Sequence, residues 1–189
     1  KSYMDKTKTI KRGQMLVSAG EYGPVWRINE GVFRLERMGH DGLSLVQLGL
    51  PGDLLGVEAL CAEPYAYTIT AITTGQAELV DANHELSRFG VVAKAYLQQQ
   101  RRTHDMMKLR GGLVTDRLAH FLSLLARDAD GNEHTLDRRD LPVLREIASI
   151  LDTATETVCR ELNAFLPARV YQRPVREAWV GGDEMAMAA

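Results

Sequence analysis

Cysteine is scarce. The chain has two, Cys61 and Cys159, far apart in sequence. That excludes a disulfide framework and suits a reducing compartment, so a cytoplasmic location is expected. No apolar run approaches the ~20 residues of a membrane span, and no membrane partner is expected. The first residues, KSYMDKTKTIKRG, are polar and basic without an apolar core, so they do not read as a secretion signal. Net charge is small, −2 at pH 7. A nucleic-acid binder of this composition needs a local basic face, because global attraction is missing. Catalytic signatures are also lacking. There is no Gly-rich phosphate loop of P-loop or Rossmann spacing, no G-x-S-x-G and no H-E-x-x-H. The five histidines (40, 84, 104, 120 and 134) are scattered and form no i,i+4 pair. The expectation is a non-enzyme with no metal and no cofactor.

What is present is a chain in two styles. Its 189 residues allow one large domain or two small ones. The 45% hydrophobic and 25% charged content is that of a globular protein. Ten of the 16 glycines fall between Gly13 and Gly75, and short β-type runs lie between them. These runs are QMLVS, VWRIN, VFRLER, LSLVQL, YTITAI and AELV, separated by turn signals such as GEYGP, GHDG and GLPGD. Such spacing reads as an antiparallel sandwich or barrel.

From Asn83 the pattern turns helical. AKAYLQQQRRTHDMMKLR (93–110) holds good helix formers and no Gly or Pro. Its apolar marks are sparse, and a thin stripe of this kind suits pairing with another helix or packing on the β domain. Gly111-Gly112 interrupts it. A second helix follows, with Val114, Leu118, Phe121, Leu122 and Leu125 on one face. Then LPVLREIASILDTATETVCRELNAF (141–165) offers two apolar faces: Ile147, Ala148 and Leu151, then Val158, Leu162 and Phe165. Asp152 sits between them and tolerates a left-handed turn, so two short helices with a tight turn are expected. Within TATETVCREL, Thr153 and Glu156 fit a capping box. Glu156 and Arg160 have the spacing of a surface ion pair.

The order of these parts resembles the Crp/Fnr family of bacterial transcription regulators over about residues 12 to 165. RGQMLVSAGE, INEGVFRL and GLPGDLLGVEAL carry the resemblance in the β part. The GVEAL segment is closer to the Fnr/FixK branch than to the cyclic-AMP receptor branch. LPVLREIASILDTATETVCREL carries it in the helical part, with Asp152 where the family usually has Gly. The resemblance implies an α+β fold in three parts. Residues 1–82 would form a double-stranded β-helix, a cyclic-nucleotide-binding-like β-roll. Residues 83–112 would form a connecting and dimerisation helix, and residues 113–189 a winged helix-turn-helix. In that roll, Asp53 and Glu58 serve loop geometry rather than acid–base catalysis.

The same resemblance implies function. Thr153, Thr155, Glu156, Thr157, Cys159 and Arg160 would face double-stranded DNA. Arg160 can present a fork to guanine, and Glu156 can accept from cytosine N4. Together they would read a TGA-type core in each half of a near-palindromic site. Thr153 and Thr157 are read as caps or phosphate contacts, and Thr155 as a thymine-methyl contact. Cys159 is either a small spacer against DNA or a redox-sensitive thiol. Tyr96, Leu97, His104 and Met107 would lie in a homodimer helix, and RNA polymerase is the further partner implied. Residues 141–180 balance five arginines against five acids, and the tail after Leu166 matches a wing poorly. ARVYQ and REAWV could still pair around Pro174. A β-roll dimer that binds a small molecule, with impaired DNA binding, is therefore the alternative.

The effector is open. The cyclic-AMP branch holds its phosphate with an Arg-Ser pair, where this chain has Tyr65 and Ala66. No arginine occurs between Arg37 and Arg88, and a buried phosphate without a cation is costly. Glu58, Tyr65, Tyr67 and Thr68 are candidates to line a pocket for another small ligand, or the tyrosines simply pack in the roll. The cysteines are too few for an iron–sulfur cluster. Haem is disfavoured by the scattered histidines, and a regulator needing no effector stays open.

Overall fold

A computed structural model describes residues 6–167. Among them, eight strands precede four α-helices. The strands are β1 Thr7–Ile10, β2 Met15–Val17, β3 Trp26–Glu30, β4 Phe33–Gly39, β5 Gly42–Gly49, β6 Leu54–Leu55, β7 Thr68–Ala71 and β8 Gly75–Leu79. They form two antiparallel four-stranded sheets, in the orders β1-β8-β3-β6 and β2-β7-β4-β5. The sheets enclose a core that includes Ile10, Ile28, Phe33, Leu35, Ile69 and Ala77. Each carbon removed from water there favours the roll by about 25 cal/mol per Å² of apolar area. At one turn the backbones come so close that glycine is required. Gly31 has φ +91°, and a Cβ added to it would lie 2.6 Å from Gly75 Cα.

The helices are α1 Glu85–Arg110, α2 Val114–Leu125, α3 Leu144–Leu151 and α4 Thr155–Phe165. The last strand ends at Leu79 and α1 begins at Glu85. Gly112, at φ +78°, breaks the chain between α1 and α2 as its sequence signals. On α2, Leu118, Phe121, Leu122 and Leu125 are buried. On α3, Ile147, Ala148 and Leu151 are buried, with Ile150. On α4, Val158 and Leu162 are buried, but Phe165 is 39% exposed. The expected third apolar position of that face is thus lost: Phe165 is the helix's last residue, and its ring stands at the surface.

The helices do not form a separate body. Val32, Leu48, Leu50 and Ile72 of the roll share one apolar cluster with residues of α1, α2, α3 and α4. Arg34 of β4 ties the roll to α3, with Nη1 donating to Glu146 Oε2 at 2.6 Å and to Ser149 Oγ at 3.4 Å. The wing expected beyond Leu166, with ARVYQ and REAWV, lies outside the described residues.

Candidate functional site

The α3–α4 turn is built as the sequence suggests, with two changes at α4. Asp152 closes α3 in the left-handed region, φ 50° and ψ 60°. The Thr153 N–H donates to Ala148 O at 3.0 Å, so Thr153 belongs to the turn. The chain is extended at Ala154, which is the N-cap. The Thr153–Glu156 capping box is therefore not formed. The residue in cap position is alanine, and the helix starts two residues after Thr153. The Glu156–Arg160 pair is not formed either. Arg160 Nε instead lies 3.4 Å from Glu161 Oε1, and Glu161 Oε2 accepts from Thr115 Oγ1 of α2 at 2.9 Å. Glu161 is anchored, so it draws Arg160 sideways.

These changes leave the outer face of α4 open. Glu156, Cys159 and Arg160 are exposed, and Thr153, Thr155 and Thr157 are half-buried. The N–H groups of Thr155, Glu156 and Thr157 find no acceptor among the described residues. An uncapped helix N-terminus of this kind favours an anion such as a phosphate.

On α1, Tyr96, Leu97 and Met107 are each more than half exposed, and His104 is exposed with them. The opposite side of α1 is fastened to the roll. Gln98 accepts from Leu54 N–H at 2.7 Å and donates to Leu54 O at 3.0 Å. Arg102 holds the buried Asp53 with two bonds, Nε to Oδ2 at 2.7 Å and Nη2 to Oδ1 at 2.8 Å. Arg102 Nη1 also donates to Asp105 Oδ2 at 2.7 Å, and Asp105 Oδ1 lies 3.0 Å from His120 Nε2 on α2. The chain Asp53–Arg102–Asp105–His120 thus links roll, α1 and α2. Burial pushes the Asp53 carboxyl above its ordinary value, against the pull of Arg102. Burial opposes the charge on Arg102, but its two carboxylate partners hold its pKa above the usual value.

Glu58, Tyr65 and Tyr67 line a cavity of about 300 Å³ between the roll and α1. Thr68 does not; its Oγ1 accepts from the Ala19 N–H at 3.3 Å, on the outer side of the strand. Tyr65 is buried, and its hydroxyl donates to Pro24 O at 2.7 Å, so this tyrosine is mainly a packing residue. Burial raises its pKa. Glu58 Oε1 accepts from the Ala66 N–H at 3.2 Å. Gln47 and Gln98 also line the cavity and were not legible in advance. Among the described residues, no Lys, Arg or His lines it. Arg37 sits outside it, 5.6 Å from the Tyr67 ring centroid. A larger cleft, about 1010 Å³, separates the roll from the α2–α3 segment. Its charges offset one another only in part: Lys11, Arg12, Arg127 and Arg139, with His134, against Glu30, Asp128 and Asp140. Among the described residues, no group of three His, Cys, Asp or Glu is placed to hold a metal ion.

Comparison with known proteins agrees with the roll and with its setting. No curated protein matches the chain by sequence. A CRP-family transcriptional regulator from Thermus thermophilus is 27% identical, with 84% of this chain and 83% of that chain covered and a TM-score of 0.63. A CRP/FNR-family regulator from the same organism is 20% identical, with 84% of each chain covered and a TM-score of 0.56. FixK2 from Bradyrhizobium japonicum is 23% identical, covering 84% of this chain and 83% of that one, with a TM-score of 0.59. Residues 7–85 match the family model of the cyclic nucleotide-binding domain, so the N-terminal part is a β-roll of that type, in a chain whose fold is similar to that of CRP-family regulators.

Proposed function

We propose that the protein is a Crp/Fnr-type transcription regulator, a cytoplasmic homodimer that reads a near-palindromic DNA site with a TGA-type half-site core. The observation that carries this reading is the outer face of α4. The helix buries Val158 and Leu162 on its inner side and leaves Glu156, Cys159 and Arg160 exposed beside an uncapped N-terminus. A recognition helix needs that division, because base edges are read by side chains while backbone N–H groups take phosphate. The exposed stripe of α1 supports pairing of two subunits. Two-fold symmetry then sets half-sites about one helical turn apart. The proposal includes RNA polymerase as a partner, and a signal that enters through the roll or a constitutive state. The GVEAL segment favours the Fnr/FixK branch.

A second reading has its own support. Arg160 leans on the anchored Glu161, and α4 also carries Glu156, so the helix gives DNA little positive charge. On that reading the protein is a small-molecule-binding dimer with impaired DNA binding. Selection from a random duplex library at low and at physiological salt separates the two. Enrichment of a palindrome with a TGA-type core supports the regulator. Sequence-independent retention that disappears at physiological salt supports the second reading.

A further inference from the structure

The cavity between the roll and α1 holds a polar side chain that the fold leaves unused. Gln47 lies on β5 opposite Leu35 of β4 and is 4% exposed. It lines the cavity, and neither end of its amide has a hydrogen-bond partner among the described residues. It is not sealed off either: among the described residues, the unpaired side-chain atom shut away from solvent is Arg34 Nε. The Gln47 amide therefore opens on the cavity. Gln98, across from it, shows the usual solution for a buried amide, with both ends bonded to Leu54. Most buried polar groups find a partner within the protein, so an amide that reaches only the cavity is available to a molecule held there.

The wall decides what that partner can be. Leu35, Ile69, Val92 and Ala95 give it an apolar surface, Glu58 supplies a carboxylate, and no cationic side chain among the described residues is in the lining. An anion placed there would lose water without gaining a countercharge. A carboxamide, by contrast, offers one donor and one acceptor with the spacing of Gln47's own. We infer that this cavity binds a small uncharged organic molecule, largely apolar, whose carboxamide-like group pairs with the Gln47 side chain. Binding itself follows from the cavity. Its consequence, that an occupant touching Val92 and Ala95 biases α1, rests on the regulator reading.

Matched probes test this on the full chain by calorimetry: indole-3-acetamide against indole-3-acetate, cyclohexylacetamide against cyclohexylacetate, and cyclic AMP. The amides are expected to bind at least ~tenfold more tightly than their acids, with cyclic AMP not binding. Gln47→Leu should weaken the amides ~tenfold, the scale of one or two hydrogen bonds. It should not lower the melting temperature of the free protein, since no hydrogen bond within the fold is lost. Ala95→Phe, which fills the cavity from α1, should abolish binding with the circular dichroism unchanged. Three results overturn the inference: acids bound as well as amides, no amide bound, or a lower melting temperature in Gln47→Leu. All are measured without DNA. A failed duplex selection with amide binding intact would therefore count against the regulator and not against the cavity.

Discussion

Arg160 and Glu156 carry the sequence-reading proposal, and the structure sharpens how they are tested. Glu156 neither caps α4 nor pairs with Arg160. Glu156→Ala should thus leave the melting temperature unchanged and relax preference at one base pair of a selected site. Arg160→Ala should flatten the selected profile, since a bidentate guanine contact is worth ~1–3 kcal/mol of discrimination. An unaltered profile would remove Arg160 from the reading face. Arg102 is a different kind of residue, because its work is inside the protein. Arg102→Met leaves Asp53 buried without its countercharge, with only the Leu50 N–H donating to it at 2.9 Å, a loss of ~3–5 kcal/mol in denaturant unfolding at neutral pH. The sign of the pH dependence follows from Asp53. Its carboxyl already lies above its ordinary value and rises further without the guanidinium. Protonation then favours the folded variant below the ordinary carboxyl range, and that help is lost as pH rises through the raised value. The deficit should therefore be small in acid and full at neutral pH; a constant deficit would mean Asp53 is not the group exposed by the change.

Element by element, α1 is the one whose two sides differ most. One side is held to the roll by Gln98 and Arg102; the other leaves Leu86, Phe89, Tyr96, Leu97 and Met107 in water. If that stripe joins two subunits, Leu97→Asp with Met107→Asp should convert the dimer to a folded monomer by sedimentation equilibrium, since neither side chain supports the monomer's core. The elements also show what a sequence can convey. Strands flanked by Gly-rich turns were legible, but β1 was not: in TKTI only Ile10 is buried, so no alternation marks it. The two residues of β6 are too few to carry a pattern. The start of α4 was misplaced because Asp152 and Thr153 are used by the left-handed turn, which propensity alone does not register. Gln47 was missed for another reason. The β4–β5 register shifts between Leu35 and Glu36, and both Gln47 and Leu48 are buried. A strand covered on both faces has no polar side to read, so a functional amide in LSLVQL looks like an outward residue.

For the whole molecule, the apolar cluster that crosses from roll to helices sets how a signal can travel. Leu48 is 2% exposed and sits in that cluster with residues of α1, α2, α3 and α4. Its neighbour Gln47 opens on the cavity from the other side of the same strand. A shift of β5 that accommodates a ligand is therefore felt at once by the helical side, without any contact between ligand and α4. The close packing of such a seam makes it respond as a unit rather than by gradual deformation. Leu48→Ala tests this coupling. It should cost ~2–5 kcal/mol, as for other buried leucines, and hydrogen exchange should quicken together in β4, α2 and α3. If the loss stays within the strands while α2 and α3 keep their protection, roll and helices are energetically separate. A signal would then have to pass through α1 alone, along Asp53, Arg102, Asp105 and His120.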